Sequence, residues 1–185
     1  MLSSIEFSEK IFASADREEI WQHCQSYFEQ FGFDGLIYLD AKQDDVDFLS
    51  NFPQYWVDHY VDQGYEKIDP FLSYCCRSDG LTLTGADFLN RYNYLTAEQR
   101  NLINEASETG YAAGFAAPFR VMGPQGAGGW NFLSEMSATD VEKTVEEHGT
   151  ALHMAGMFAH TALSDCPQPH DCALTPREKE ALTWL

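Results

Sequence analysis

Residues 56–71, WVDHYVDQGYEKIDPF, hold one Trp, two Tyr, a His, a Phe and an Asp-Pro pair. On a helix, Phe52, Trp56, Tyr60 and Gly64 recur at steps of four and share one face, with Val57 and His59 off it. A face of this kind is core by default. Two groups ask for more than packing. A buried indole N–H wants an acceptor, and Asp69 follows in an apolar setting where a carboxylate is costly unless it accepts hydrogen bonds. Trp56 as donor and Asp69 as acceptor in one pocket suit a neutral small amide, which offers a carbonyl to one and an N–H to the other. Ile37, Leu39, Val46 and Phe48, on two predicted strands, supply apolar walls for a tail.

Other chemistries find less support. There is no G-x-S-x-G elbow, no H-E-x-x-H and no phosphate loop with its Lys. GPQGAGG (123–129) is Gly-rich but sits between two predicted strands, and reads as a hairpin turn. Cys166, His170 and Cys172, with His160 on the preceding helix, are zinc donors by type. Their spacing matches no common finger. The expectation is therefore no catalytic residue, no metal and no cofactor.

Several elements must position the amide-binding pair. Asp16 to Phe31 carries Ile20, Trp21, Cys24, Tyr27, Phe28 and Phe31 at helical spacing, and Gly32 stops it. FDGLIYLD (33–40) reads as a strand covered on both faces. AKQDD turns the chain into VDFLSN, where Val46 and Phe48 share a side. Pro53 suits the first turn of a helix to about Gln63, with Gly64 as its stop. Thr96 with Gln99 is a capping-box pattern for a helix ending at Gly110, and Thr139 with Glu142 is another. Between them, AAGFAAPFRV and WNFLSEM read as paired strands. The last helix should bury Val145, Leu152, Met154 or Ala155, Ala159 and Leu163. The order predicts an α+β fold, an α/β/α sandwich whose central antiparallel sheet has helices on both faces.

Composition sets the class. At 185 residues and 44% hydrophobic, the chain can bury one full core. A net charge of −18 works against phosphate contacts and anionic membranes. No apolar run is long enough to span a bilayer, and MLSSIEFSEK lacks the pattern of a secretory signal. Five cysteines, an odd count, favour reduced thiols and a cytoplasmic location.

From Ser164 the chain becomes polar and Pro-bearing, and LTPREKEALTWL then opens a fresh helix with Thr175 as N-cap and Pro176 at its first position. NFPQYWVDHYVDQGYEKIDPF, with its W-x3-Y and a D-P nine residues on, resembles the signature of the autoinducer-binding domain of LuxR-type quorum-sensing regulators. LTPREKEALTWL resembles the first helix of that family's helix-turn-helix. The resemblance implies a ligand-binding domain over residues 1–163, a linker over 164–173, and over 174–185 the first helix of a DNA-binding domain that is cut off here. It implies an N-acyl homoserine lactone as ligand, a homodimer, and DNA contact only through the C-terminal domain. By position, Trp56 would donate to the lactone carbonyl and Asp69 would accept from the amide N–H. Tyr60 would line the acyl chain, with Ile37, Leu39, Val46 and Phe48 as tail contacts.

The departures from the family pattern concern the head-group end. Phe52 stands where members often carry a Tyr hydroxyl, and Thr84 where a Trp walls the lactone ring. Phe71 replaces a small hydroxyl residue. Leu133 replaces a Ser or Thr that meets the amide oxygen, a role Asn131 is placed to take. These changes leave open a longer or 3-unsubstituted acyl chain, an aryl ligand or a non-lactone signal. They also leave open an orphan regulator whose self-filled pocket serves mainly dimerisation.

Overall fold

The computed structural model describes residues 2–42, 45–75, 80–123 and 126–166. Two helices come first, α1 (Ser4–Ala13) and α2 (Arg17–Glu29). The hairpin β1 (Gly35–Lys42) and β2 (Asp45–Ser50) follows, then α3 (Gln54–Gln63), a 3-10 turn (Tyr65–Lys67) and α4 (Pro70–Cys75). A short β3 (Thr82–Thr84), a 3-10 turn (Ala86–Arg91) and α5 (Ala97–Ser107) lead to β4 (Ala113–Gly123), β5 (Gly126–Ser134) and the long α6 (Ala138–Asp165).

The strands form one antiparallel sheet in the order β2-β1-β5-β4-β3. Strand residues alternate between its faces. On one face Leu36, Tyr38, Phe115, Trp130 and Phe132 pack with Phe7 and Ile11 of α1, Trp21 and Phe28 of α2, and Leu152 and Ala159 of α6. On the other face lie Ile37, Leu39, Phe48, Ala116, Asn131 and Leu133, opposite α3, α4 and α5. The predicted α+β sandwich is the observed fold. Its main hydrophobic core lies on the α1/α2/α6 side.

Several local expectations are corrected. The sequence reading contains no α1, although Ser3 and Glu6 form a complete capping box there. The cap of α6 is Ser137 rather than Thr139: its hydroxyl accepts from the Asp140 N–H and donates to the Asp140 carboxylate. Met154 is 44% exposed and Ala155 fully buried, which settles that pair. Gly126–Gly129, predicted to be turn, belong to β5. A Cβ on Gly128 would sit 2.3 Å from the Phe119 ring, so the bare backbone makes that packing possible. Helix α6 runs through Asp165. The rest of the linker and the 174–185 helix lie outside the described residues.

One buried ion pair ties the layers at their edge. Arg17, at the start of α2, donates Nη2 to both Asp47 carboxylate oxygens of β2, at 2.6 and 2.7 Å, and Nη1 to the Leu163 carbonyl of α6 at 2.6 Å. Both side chains are about nine-tenths buried. A paired, hydrogen-bonded charge is tolerated there, and a lone one is not. Asp47→Ala is expected to cost about 3 kcal/mol by leaving the guanidinium unmatched, read as a lower urea midpoint at an unchanged slope.

Candidate functional site

Between the sheet and α3–α5 lies a cavity of about 210 Å³. Its floor is two rows of paired strand residues. Phe48, Leu39, Gly129 and Pro118 form one row, and Ser50, Ile37, Asn131 and Ala116 the other. Small residues on β4 and β5 leave space that large neighbours would fill. The roof comes from Trp56, Val57, Tyr60 and Val61 of α3, Leu72 of α4, and Leu102, Ile103 and Ala106 of α5. A space of this size holds several waters and exceeds an ordinary packing defect.

Asp69 is held by the turn it begins. Helix α3 ends at Gly64, whose φ of +66° the missing Cβ allows. The 3-10 turn follows, and the Asp69 N–H donates to Tyr65 O at 2.8 Å. Pro70 opens α4, so Asp69 is its cap: Oδ1 accepts from the N–H groups of Phe71 (2.9 Å) and Leu72 (3.1 Å). Oδ2 accepts from the Tyr60 hydroxyl at 3.0 Å. The carboxyl lines the cavity, and burial pushes its pKa above the ordinary 3.8, against the pull of the Leu72, Tyr60 and Phe71 bonds. Asp69 is thus a helix cap and a cavity carboxylate at once. The Tyr60 hydroxyl serves Asp69, a contact the sequence reading did not include.

Trp56 is 9% exposed and lines the cavity. Its indole N–H has no acceptor among the described residues. Trp130, on β5, differs: its N–H donates to Gly156 O of α6 at 2.9 Å and is spent on structure. The fully buried Thr84 donates its hydroxyl to Asn131 Oδ1 at 2.8 Å, which directs the Asn131 amide N–H₂ elsewhere. Phe52 packs on Tyr111 (centroids 5.2 Å apart) and Phe71 edge-on to Tyr92 (5.4 Å). The roof is pinned to α5 by Glu105, which accepts from the Tyr65 hydroxyl at 2.7 Å and meets His59 Nε2 at 3.1 Å. The Tyr65 bond, then that of His59, holds the Glu105 carboxyl below its usual range.

The structure brings Phe52, Trp56, Tyr60, Asp69, Phe71, Thr84, Ile37, Leu39, Phe48, Asn131 and Leu133 to this one cavity. Val46 is the exception. It is buried with Leu39 and Ala41, packed by Phe48 and Leu72, and closes a satellite cluster instead of lining the cavity. Val57, set off the helix face by its spacing, does line the cavity, so the working face of α3 is wider than one row. The reading missed Glu66, Tyr111 and the α5 residues. Helical periodicity marks Leu102 and Ile103 as buried but does not say against what. Among the described residues no group of three or more His, Cys, Asp or Glu side chains is arranged to hold a metal. His170 and Cys172 lie outside them. Cys24 is fully buried, and burial pushes its thiol far above the ordinary range, away from nucleophilic use.

The model of the autoinducer binding domain matches residues 16–163, which contain the whole sheet, the cavity and most of α6. The chain belongs to the autoinducer-binding domain family. This autoinducer-binding domain is 26% identical over 182 residues to the transcriptional activator AnoR of Acinetobacter nosocomialis, covering 91% of the chain and 72% of that protein. It is 25% identical over 172 residues to the activator LuxR of Aliivibrio fischeri, covering 88% of the chain and 63% of LuxR. Among solved structures, the LuxR-family factor CepR2 of Burkholderia cenocepacia superposes with a TM-score of 0.71 at 15% identity, over 86% of this chain and 92% of that one. SdiA in complex with octanoyl-rac-glycerol gives 0.65 at 20% identity, over 98% and 74%. At such identities the structures attest the fold. The chain is a signal-binding domain of LuxR type and not an enzyme.

The double duty of Asp69 has a pH signature in this autoinducer-binding domain. Its folded pKa is raised, so the native state holds the proton more tightly than the unfolded chain does. Its contribution is therefore favourable below the ordinary value of 3.8 and is lost as pH rises through the raised one. Asp69→Asn keeps a carbonyl oxygen for the cap and removes the charge. The ligand-free variant is expected to be at least as stable at neutral pH and to lack that part of the pH dependence, in urea unfolding across the acid range. Asp69→Ala is expected to lose about 1 kcal/mol with the cap.

Proposed function

We propose that this domain binds an N-acyl homoserine lactone, or a closely related small amide, and that binding controls dimerisation and DNA binding in the cytoplasm. One observation carries the reading: among the described residues, an apolar cavity is flanked by an indole donor without an acceptor and by a carboxylate oxygen that accepts from a single hydroxyl. In this reading Trp56 Nε1 donates to the ligand's carbonyl and Asp69 Oδ2 accepts from its amide N–H. Asn131 Nδ2 serves the amide oxygen in place of a hydroxyl at Leu133. Ile37, Leu39, Phe48 and Leu133 carry the acyl chain, while Thr84 leaves room at the head group. CepR2 is described as N-acylhomoserine lactone dependent, which supports a lactone. The SdiA complex, whose ligand is an acyl glycerol, supports a wider range of head groups. A self-filled pocket is the alternative, and the open volume weighs against it.

The apolar walls of the cavity stay uncovered until a ligand occupies it, and covering them is a favourable term of binding. In this reading dimerisation and DNA binding follow from a completed core. The chain's charge of −18 works against direct phosphate contacts by this domain.

An acyl homoserine lactone at a hundred times its dissociation constant is expected to add about 2.7 kcal/mol, or some 5–10 °C in Tm. A panel of increasing acyl length that shifts nothing in differential scanning fluorimetry removes the lactone reading. In calorimetry, Trp56→Phe is expected to weaken the best ligand about tenfold, and Asp69→Asn by about 1.5–3 kcal/mol.

A further inference from the structure

The cavity holds a second carboxylate that the amide-binding scheme leaves unused. Glu66 lines it from the 3-10 turn Tyr65–Lys67 and is only 5% exposed. Its Oε2 is buried and has no hydrogen-bond partner among the described residues. Its Oε1 lies 3.8 Å from Nζ of Lys67, a side chain 67% exposed, a distance and setting in which an ion pair contributes little. The turn itself does not need a glutamate. Gly64 supplies its left-handed residue, the Ile68 N–H closes it on Tyr65 O, and it has no side-chain cap. A buried acceptor left unpaired is costly, and such costs concentrate where a site is kept ready for a partner.

The other acceptors around the cavity differ, since each already takes a protein donor while the Trp56 N–H and the Asn131 amide N–H₂ are donors. Asp69 takes three protein donors, and the Thr84 hydroxyl is spent on Asn131. A ligand with a single amide N–H would satisfy Asp69 and still leave Glu66 Oε2 bare.

We infer that Glu66 is a second ligand acceptor, and that the signal this chain selects carries a further hydrogen-bond donor, a hydroxyl or an amine, besides its amide N–H. This rests on the small-amide reading above and narrows it. The donor sits on the head group or near the head of the tail, because Glu66 lies three residues before Asp69, in the 3-10 turn that leads into the α4 cap. The residue sets specificity more than affinity: a site with an acceptor in place rejects an analogue that lacks the donor.

Two matched probe pairs test this by calorimetry on the whole chain. One is N-octanoyl ethanolamine against its methyl ether, which loses the head-group hydroxyl. The other is β-hydroxyoctanoyl against octanoyl homoserine lactone. The wild-type domain is expected to prefer the hydroxyl-bearing member of at least one pair by about tenfold. Glu66→Leu should bring that ratio to within about twofold while raising the Tm of the ligand-free protein, since it removes a buried unpartnered carboxylate. Glu66→Gln keeps a carbonyl oxygen and should retain part of the preference, and it decides the matter if the leucine variant does not fold. Octanoyl homoserine lactone binding with no preference in either pair overturns the role of Glu66 and leaves the amide reading standing. A preference that survives both variants, or a Tm lowered by both, overturns it as well. Failure of all four probes to bind overturns both readings together.

Discussion

The structure turns on a shortage of side-chain volume at the middle of its sheet. Gly129 and Ala116, with Pro118 beside them, sit in the paired rows that face α3–α5, and they cannot fill the space beneath those helices. On the opposite face the same strands present Phe115, Trp130 and Phe132, which interlock with α1, α2 and α6. One sheet therefore has a finished core on one side and an unfinished one on the other. Close packing is the normal state of a protein interior. The two faces differ in how completely they are filled, and the proposed site lies on the less filled one.

The α3–α5 layer is held mainly by its own small cluster. Leu95, Leu102 and Ile103 pack with Tyr60, Tyr65, Ile68 and Phe71, and Glu105 links His59 and Tyr65 across to α5. A molecule occupying the cavity adds contacts to the sheet and to this cluster together. Binding free energy and folding free energy are thereby coupled through the same side chains. The polar groups sharpen that coupling. Asp69 cannot be altered without touching the cap of α4, and Tyr60 cannot be moved without touching Asp69.

Much of this was legible in the chain. The step-of-four row from Phe52 to Gly64 and the D-P that follows pointed to Trp56 and Asp69 through one physical fact: buried donors and carboxylates need partners. The alternating strands put Ile37, Leu39 and Phe48 on a common wall. Val46 shares their face and period, yet lies past the cavity's end, because alternation fixes a side and not a position along it. The Gly-rich run was read as turn since glycine marks both turns and close approaches; that Phe119 covers Gly128 is a contact between strands that only pairing creates. The α1 helix escaped despite its capping box and amphipathic pattern: ten residues are marginal as a helix alone, and packing against α2 and α6 is what holds it.

The sequence by itself determined the sandwich class, the order of the elements after α1, the acidic charge, and the pairing of Trp56 with Asp69. These rest on local spacing and on composition, which need no knowledge of what packs against what. Only the tertiary structure decided that Asp69 is a cap as well as a cavity carboxylate, that the Thr84 hydroxyl is spent on Asn131 Oδ1, and that Glu66 Oε2 is buried without a hydrogen-bond partner among the described residues. Each of those depends on which groups meet across elements distant in the chain. A hydrogen bond's presence or absence is a property of the meeting and not of either residue.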